Sequence, residues 1–253
     1  MATEFLLRKI LFPIVFSIAF LATFVGSVSG GSASLISIPS WVALGFPLPT
    51  AVACDKLSAT FWTFAAGRTY LHKCTIDWRL LAGLSLFGMA GAYLGTKTMV
   101  LVDATLLKKA VGLIILSLVA LSLYKREYGL TTGEPRVGRF LGSLFGLPLG
   151  FYEGLLGSGN SIFTSLLLCR TRGFDLIAAL GHYYFVAFVW CAFAAFLYLR
   201  QGFFEPSLML PAVLGSILGG LTGSYMGRRS GAKFVKLLFI FVGILLGLKL
   251  VVT

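Results

Sequence analysis

From Ile10 to Cys54 the chain runs for 45 residues without one charged side chain. A membrane-crossing helix needs about 20 mainly apolar residues, so this stretch alone is longer than two crossings. The rest of the chain repeats the pattern: 58% of the residues are hydrophobic and only 12% are charged, roughly half the charged share of a soluble chain. A soluble fold of this length still exposes about a quarter of the surface of its unfolded chain, too much for such a composition to hide. Secreted, cytosolic and disordered classes are excluded. The expected fold is an all-α polytopic membrane protein.

Long apolar runs lie near 10–28, 50–70, 79–99, 105–124, 139–156, 175–199, 206–227 and 235–252, which predicts about eight transmembrane helices. Two further apolar pieces, Ser32 to Leu44 and Ser161 to Leu168, are too short to cross alone and read as broken or re-entrant segments. Each follows a glycine-rich break, Gly30-Gly31 in one case and Gly157-Ser158-Gly159 in the other. Pro39 interrupts the first piece and removes a backbone donor. Arg8-Lys9 before an apolar run resembles the start of a signal peptide. The uncharged stretch far exceeds a signal core of about 7–15 residues, so it is assigned to the mature fold.

The chain carries 21 Lys and Arg against 9 Asp and Glu, a net charge of +12. The cations sit in short clusters between apolar runs, such as Arg68 to Arg79, Lys125 to Arg139 and Arg228 to Lys236. That is the distribution of loops flanking membrane spans, and it argues against a nucleic-acid partner. It also steers anions toward the protein. The four cysteines, Cys54, Cys74, Cys169 and Cys191, form no CxxC pair and no metal-ligand spacing. No disulfide, metal or cofactor is expected.

The polar stretch from Lys125 to Arg139 contains Gly129, Gly133 and Pro135 and reads as a linker between two halves, residues 1–128 and 129–253. The halves are related. A shift of 128 residues aligns Gly26 with Gly154, Gly31 with Gly159, Gly45-Phe46 with Gly173-Phe174, Trp62 with Trp190, and Tyr70-Leu71 with Tyr198-Leu199. Gly91 and Gly95 likewise meet Gly219 and Gly223. Matched tryptophans and paired glycines mark an internal duplication and predict two pseudo-symmetric halves, parallel or inverted.

Duplicated halves, each with a short interrupted segment at the same place, are typical of secondary transporters. In hydrocarbon an unpaired backbone group is too costly, so a broken helix survives only where it lines a cavity. A helix restarting after such a break points free N–H groups and partial positive charge at one spot, which suits an anion. The candidate anion contacts are therefore Gly30, Gly31, Ser32 and Ser34 in the first half, and Ser158, Gly159, Asn160 and Ser161 in the second. Ser29 lies at the same break. The competing role for these serines and Asn160 is helix capping.

Ionisable residues at membrane depth are costly and face the interior or a partner. Lys56 is a candidate anion contact or gate, and Asp55 its ion-pair partner or a proton carrier. The shift of 128 places His182 opposite Cys54 and Tyr183-Tyr184 opposite Asp55-Lys56. His182 thus becomes a candidate for substrate contact and proton carriage, and Tyr183 a candidate substrate contact. Glu153, just before the second break, is a proton-coupling carboxylate or the structural partner of an arginine. Trp62, Trp190, Tyr70 and Tyr198 read as packing and interfacial anchors.

With these features in view the chain resembles the sulfite exporter TauE/SafE family of membrane permeases. The resemblance rests on GSVSGGSASLISIP (26–39), the following G-F-P, ACDKLSAT within 51–60, and GFYEGLLGSGNSIF (150–163), and it spans about residues 10–250. It implies a secondary transporter of sulfite, sulfonates or related sulfur oxyanions, generally exporting across the cytoplasmic cell membrane. Where the Asp55-Lys56 pattern would repeat in the second half, the chain reads His182-Tyr183-Tyr184, a departure that bears on the cargo.

No G-x-x-x-x-G-K-[ST] run occurs in the chain, so ion or substrate gradients, with protons as the default, are the expected energy source. The expected partners are a small anionic substrate and membrane lipid, with a homo-oligomer allowed. A serine hydrolase built on Ser158 and His182 competes weakly, because the first-half Ser29-Gly30-Gly31 explains the same Gly-Ser cluster as architecture. The chain is not expected to be an enzyme. An anion channel or a non-catalytic membrane subunit is the main alternative to a carrier.

Overall fold

The computed structural model describes residues 2–30, 33–72, 74–99, 129–157 and 159–252, together with Leu113, Leu116, Ser117, Ala120 and Leu123. Apart from those five residues, the span expected near 105–124 lies outside the described residues. Every regular element among the described residues is helical. In the first half these are α1 (Ala2–Ser29), α2 (Ser34–Ala43), α3 (Leu48–Leu71) and α4 (Trp78–Thr98). In the second they are α5 (Arg139–Leu144), α6 (Gly146–Leu155), α7 (Asn160–Arg172), α8 (Leu176–Arg200) and α9 (Pro206–Val252).

Three helical stretches are long and apolar enough to cross a membrane by length and composition: Ile10–Ser29, Leu176–Arg200 and Pro206–Phe241. The expected spans at 206–227 and 235–252 form one helix, broken at Gly231, whose φ is 80°. The expected span at 139–156 is divided into α5 and α6 around Phe145. The second short segment extends beyond Ser161 to Leu168, because α7 continues to Arg172 and stops at Gly173 with a left-handed φ of 67°.

Glycine decides how closely the helices pack. A side chain on Gly91 or Gly95 of α4 would overlap backbone of α6 around Leu147, Phe151 and Leu155. One on Gly219 or Gly223 of α9 would overlap backbone of α1 at Phe20 and Phe24. Small residues let helix backbones approach where lipid gives no hydrophobic drive for association. In both contacts residue numbers rise together, so α4 runs parallel to α6 and α9 parallel to α1. By contrast α3 and α8 are antiparallel: Gly67 lies against Phe185, and Leu71 against Gly181. The rings of Phe64 and Phe188 meet at 5.1 Å.

Hydroxyls inside the apolar helices turn back onto their own carbonyls. Thr23 donates to Ala19 O at 2.7 Å and Ser29 to Val25 O at 2.7 Å, which keeps these polar groups satisfied. Large apolar side chains such as Leu21, Phe61, Leu86, Leu94, Leu210 and Leu218 are exposed along the helices, in keeping with a lipid-facing perimeter.

Element starts follow the register of the sequence. Leu176 and Pro206 open α8 and α9 128 residues after Leu48 and Trp78 open α3 and α4. Tyr70 donates its hydroxyl to Ser27 O at 2.7 Å, and Tyr198 to Gly154 O at 2.9 Å. The linker lies on the turn between α7 and α8: Gly133 N–H donates to Gly173 O, and Arg136 and Val137 N–H to Thr171 O.

Candidate functional site

Both helix breaks are present, and both are made by left-handed glycines. α1 ends at Ser29 and is followed by Gly30 with φ 62°; α6 ends at Leu155 and is followed by Gly157 and Gly159 with φ 70° and 82°. L-residues rarely adopt such a backbone. A Cβ on Gly157 would also overlap Lys56 Nζ and Glu153 Oε1, whereas one on Gly30 would meet the side chain of Leu180 on α8. Each break therefore presses on the central helix of the other half. Gly31, Ser32 and Ser158 lie outside the described residues.

At the second break sits a buried ion pair. Lys56 Nζ donates to Glu153 Oε1 at 2.7 Å and to Leu156 O at 3.2 Å. The Lys56 side chain is fully buried and that of Glu153 is 4% exposed. The carboxylate is further held by Asn160 Nδ2 at 2.7 Å, the Tyr183 hydroxyl at 3.4 Å and the Cys191 thiol at 3.4 Å. Asn160 also donates to Leu149 O at 3.0 Å. Four elements, α3, α6, α7 and α8, thus converge on one carboxylate. Two charges in a low-dielectric interior must be paired and hydrogen-bonded in this way to persist.

The pairing corrects one expectation. The ion-pair partner of Lys56 is Glu153, not Asp55, and Glu153 therefore serves a lysine rather than an arginine. Neighbouring residues on a helix point about 100° apart, so Asp55 and Lys56 serve different sides of α3. Asp55 instead receives the hydroxyls of Ser34 at 2.8 Å and Ser37 at 2.5 Å, both from α2. The start of α2, expected to meet an anionic ligand, already meets an internal carboxylate.

His182 belongs to a different cluster. Its Nε2 accepts from Asp77 N–H at 3.2 Å, which assigns the ring proton to Nδ1, and Nδ1 donates to Ala178 O at 2.7 Å. Its ring stacks on Phe174 at 4.4 Å. Asp77 caps α4 and is gripped from the second half by Arg139 Nε at 2.9 Å and Arg172 Nη2 at 3.1 Å. Burial acts first on the Asp77 carboxyl and raises its pKa. The hydrogen bonds from Arg139 and Leu80 N–H, with the charges of both arginines, outweigh it and hold the carboxyl below its ordinary range. A cavity of about 420 Å³ opens here, lined by Thr75, Asp77, Trp78, Arg79, Arg139 and Phe174 among others.

The structure therefore brings together Lys56, Glu153, Gly157, Asn160 and Tyr183 of the expected residues, and separately Asp55 and Ser34. Gly159 opens α7, and Ser161 follows it, buried with its hydroxyl unpartnered. Sequence reasoning missed Ser37, Ser58, Ser165 and Cys191. Ser37 was detectable, because it repeats Ser34 at the i,i+3 spacing that puts two side chains on one helix face. Ser58 and Ser165 are buried with unpartnered hydroxyls, and nothing in their spacing marks them. Cys191 reads as a small hydrophobe in an apolar run, and only the fold shows its thiol against Glu153.

The family model described as sulfite exporter TauE/SafE matches residues 15–250. A probable membrane transporter protein, ORF9, of Sinorhizobium sp is 30% identical over 95% of this chain and 92% of its own length. A probable membrane transporter protein of Haemophilus influenzae is 28% identical over 95% of this chain and 94% of its own. The probable membrane transporter protein YfcA of Escherichia coli K12 is 25% identical over 97% and 91%. No solved structure matches the chain.

Proposed function

The chain belongs to the sulfite exporter TauE/SafE family of membrane transporters, and from that premise we propose that it is a proton-coupled secondary carrier. Its cargo is a small sulfur-containing anion, sulfite or an organosulfonate, exported across the cytoplasmic cell membrane without ATP. The observation that carries this reading is the buried Lys56–Glu153 pair at the second helix break. A lysine enclosed at membrane depth is a ready anion contact. In the substrate-free state Glu153 occupies it.

The exchange follows from charge. When an anion takes the place of the Glu153 carboxylate on Lys56, the displaced carboxylate is left buried without its cation, which is prohibitive unless it takes up a proton. One monoanion and one proton then enter together, and the buried charge is unchanged. The direction of transport follows the summed gradients of both. Asn160 and Tyr183, which hold Glu153 in the empty site, are positioned to donate to the incoming oxyanion, and Ser161 adds a free hydroxyl at the start of α7. Arg79 and Arg139 at the mouth near Asp77 raise the local anion concentration.

The alternation of access follows from the duplication. α3 and α8 occupy equivalent places in the two halves, residues 1–128 and 129–253, and they pack antiparallel. The copies are therefore inverted, the arrangement in which the two halves exchange conformations to open a midplane site to each side in turn.

The test is a thermal-shift screen of purified protein against sulfite, sulfonates, sulfate and carboxylates, followed by transport in proteoliposomes. Lys56→Ala and Asn160→Ala are expected to weaken anion transport while the protein still inserts. Unchanged apparent affinity in both variants would refute the site.

A further inference from the structure

The two buried acids do not balance the one buried cation at their centre. Asp55, Lys56 and Glu153 are 5%, 0% and 3% exposed, and together they carry one surplus negative charge when ionised. Lys236, also buried, stands beside Cys169 instead. Glu153 has Lys56 at 2.7 Å, whereas among the described residues no ion pair reaches Asp55. An unbalanced charge at membrane depth is expensive. A single positive charge beside Asp55 removes the imbalance.

The surroundings of Asp55 are hard oxygens. Ser34 Oγ lies 2.8 Å from Oδ2 and Ser37 Oγ 2.5 Å from Oδ1. Ser58 stands one turn beyond Asp55 on the same face of α3. It is 6% exposed, and its hydroxyl has no hydrogen-bond partner. A buried hydroxyl without a partner costs free energy, and here it is an unused oxygen ligand next to an unpaired carboxylate. The break after α1 lies immediately before Ser34, and interrupted helices in transporters supply oxygens to coupling cations.

We propose that Asp55, Ser34, Ser37 and Ser58 form a site for a small dehydrated monovalent cation, of which sodium is the probe. One carboxylate matches one positive charge. Divalent cations draw on more oxygen ligands, often from several carboxylates. In the bound state the serine hydroxyls turn their lone pairs to the cation, and Ser58 gains its missing partner. This goes beyond the cargo reading: it adds a second ion, held on the opposite side of α3 from the anion site.

The experiment measures the melting temperature of the full chain in detergent, without anion substrate, as NaCl replaces choline chloride at fixed ionic strength and pH. Wild type is expected to show a saturable rise with sodium. Ser58→Ala is expected to fold and to weaken the apparent sodium affinity on the order of tenfold. Asp55→Asn is expected to abolish the response. Equal melting in sodium and choline overturns the proposal, as does a sodium response that both variants retain. A sulfite titration run in parallel separates the two readings: lost sodium response with intact sulfite response refutes this site alone, and the reverse refutes the cargo site alone.

Discussion

The two helix breaks occupy the same place in two copies of one unit, yet their chemistry has diverged. At the first, the hydroxyls of Ser34 and Ser37 surround Asp55, with no ion pair reaching it among the described residues. At the second, Asn160, Tyr183 and Cys191 surround a carboxylate already paired with Lys56. Lys56 itself is supplied by the first half. The duplication provides two interrupted helices; single substitutions on them decide which sign of charge each prefers. A symmetric scaffold with asymmetric contents is what coupled transport of two different ions needs.

The largest expected effect is at the second break. Glu153→Ala leaves Lys56 buried and unpaired, and is expected to destabilise the protein by about 3–5 kcal/mol. Asp55→Asn, which keeps a hydrogen-bonding group of the same shape and removes an unpaired charge, is expected to cost far less. Chemical denaturation of both variants in detergent checks the difference; equal losses would erase the contrast between the breaks.

Next come the glycines. Gly157→Ala adds about 1–2 kcal/mol of left-handed backbone strain and a further about 1–3 kcal/mol of overlap with Lys56 and Glu153. Gly30→Ala carries the strain but presses only on the flexible Leu180 side chain. Sulfite transport is expected to fall further in Gly157→Ala than in Gly30→Ala at equal membrane content.

A smaller and sharper comparison uses Ser37 and Ser165, 128 residues apart. Ser37→Ala removes a hydrogen bond to a carboxylate, about 1.5–3 kcal/mol. Ser165 is buried with no partner, so Ser165→Ala is expected to be neutral or stabilising by thermal shift.

The smallest effect lies at the helix caps. Asp77 and Glu205 open α4 and α9 at equivalent positions, but Asp77 holds two arginines and Glu205 holds Ser207. Asp77→Asn keeps a cap and is expected to cost about 1 kcal/mol or less. The folded Asp77 carboxyl lies below its unfolded value of about 4. Its contribution is therefore fully present above that pH and lost as pH falls through the lower folded value. Melting curves of wild type and Asp77→Asn are expected to differ from pH 8 to 5 and to converge in stronger acid.

Much of this was legible before any coordinates. Gly30 and Gly157-Ser158-Gly159 announced both breaks, because little but glycine takes a left-handed φ. Lys56 and Glu153 stood out singly, since ionisable groups in apolar runs need a reason. Their pairing did not, because contact between residues 97 positions apart follows from how the halves dock, which periodicity along one helix does not encode. Sequence adjacency suggested Asp55 for Lys56, and helix geometry forbids it. His182 looked equivalent to a charged position, but one turn into α8 it is captured by the Asp77 backbone. Whether the copies were parallel or inverted was undetermined from loop charges; the antiparallel contact of α3 with α8 carries that information.

The most direct test removes the ion pair without leaving a charge behind. In Lys56→Met/Glu153→Leu, a buried pair is replaced by apolar groups of similar size, so stability is expected to remain near wild type. Counterflow of labelled sulfite in proteoliposomes is then expected to vanish, because the anion has lost its cation. Wild-type counterflow in that variant would contradict the account.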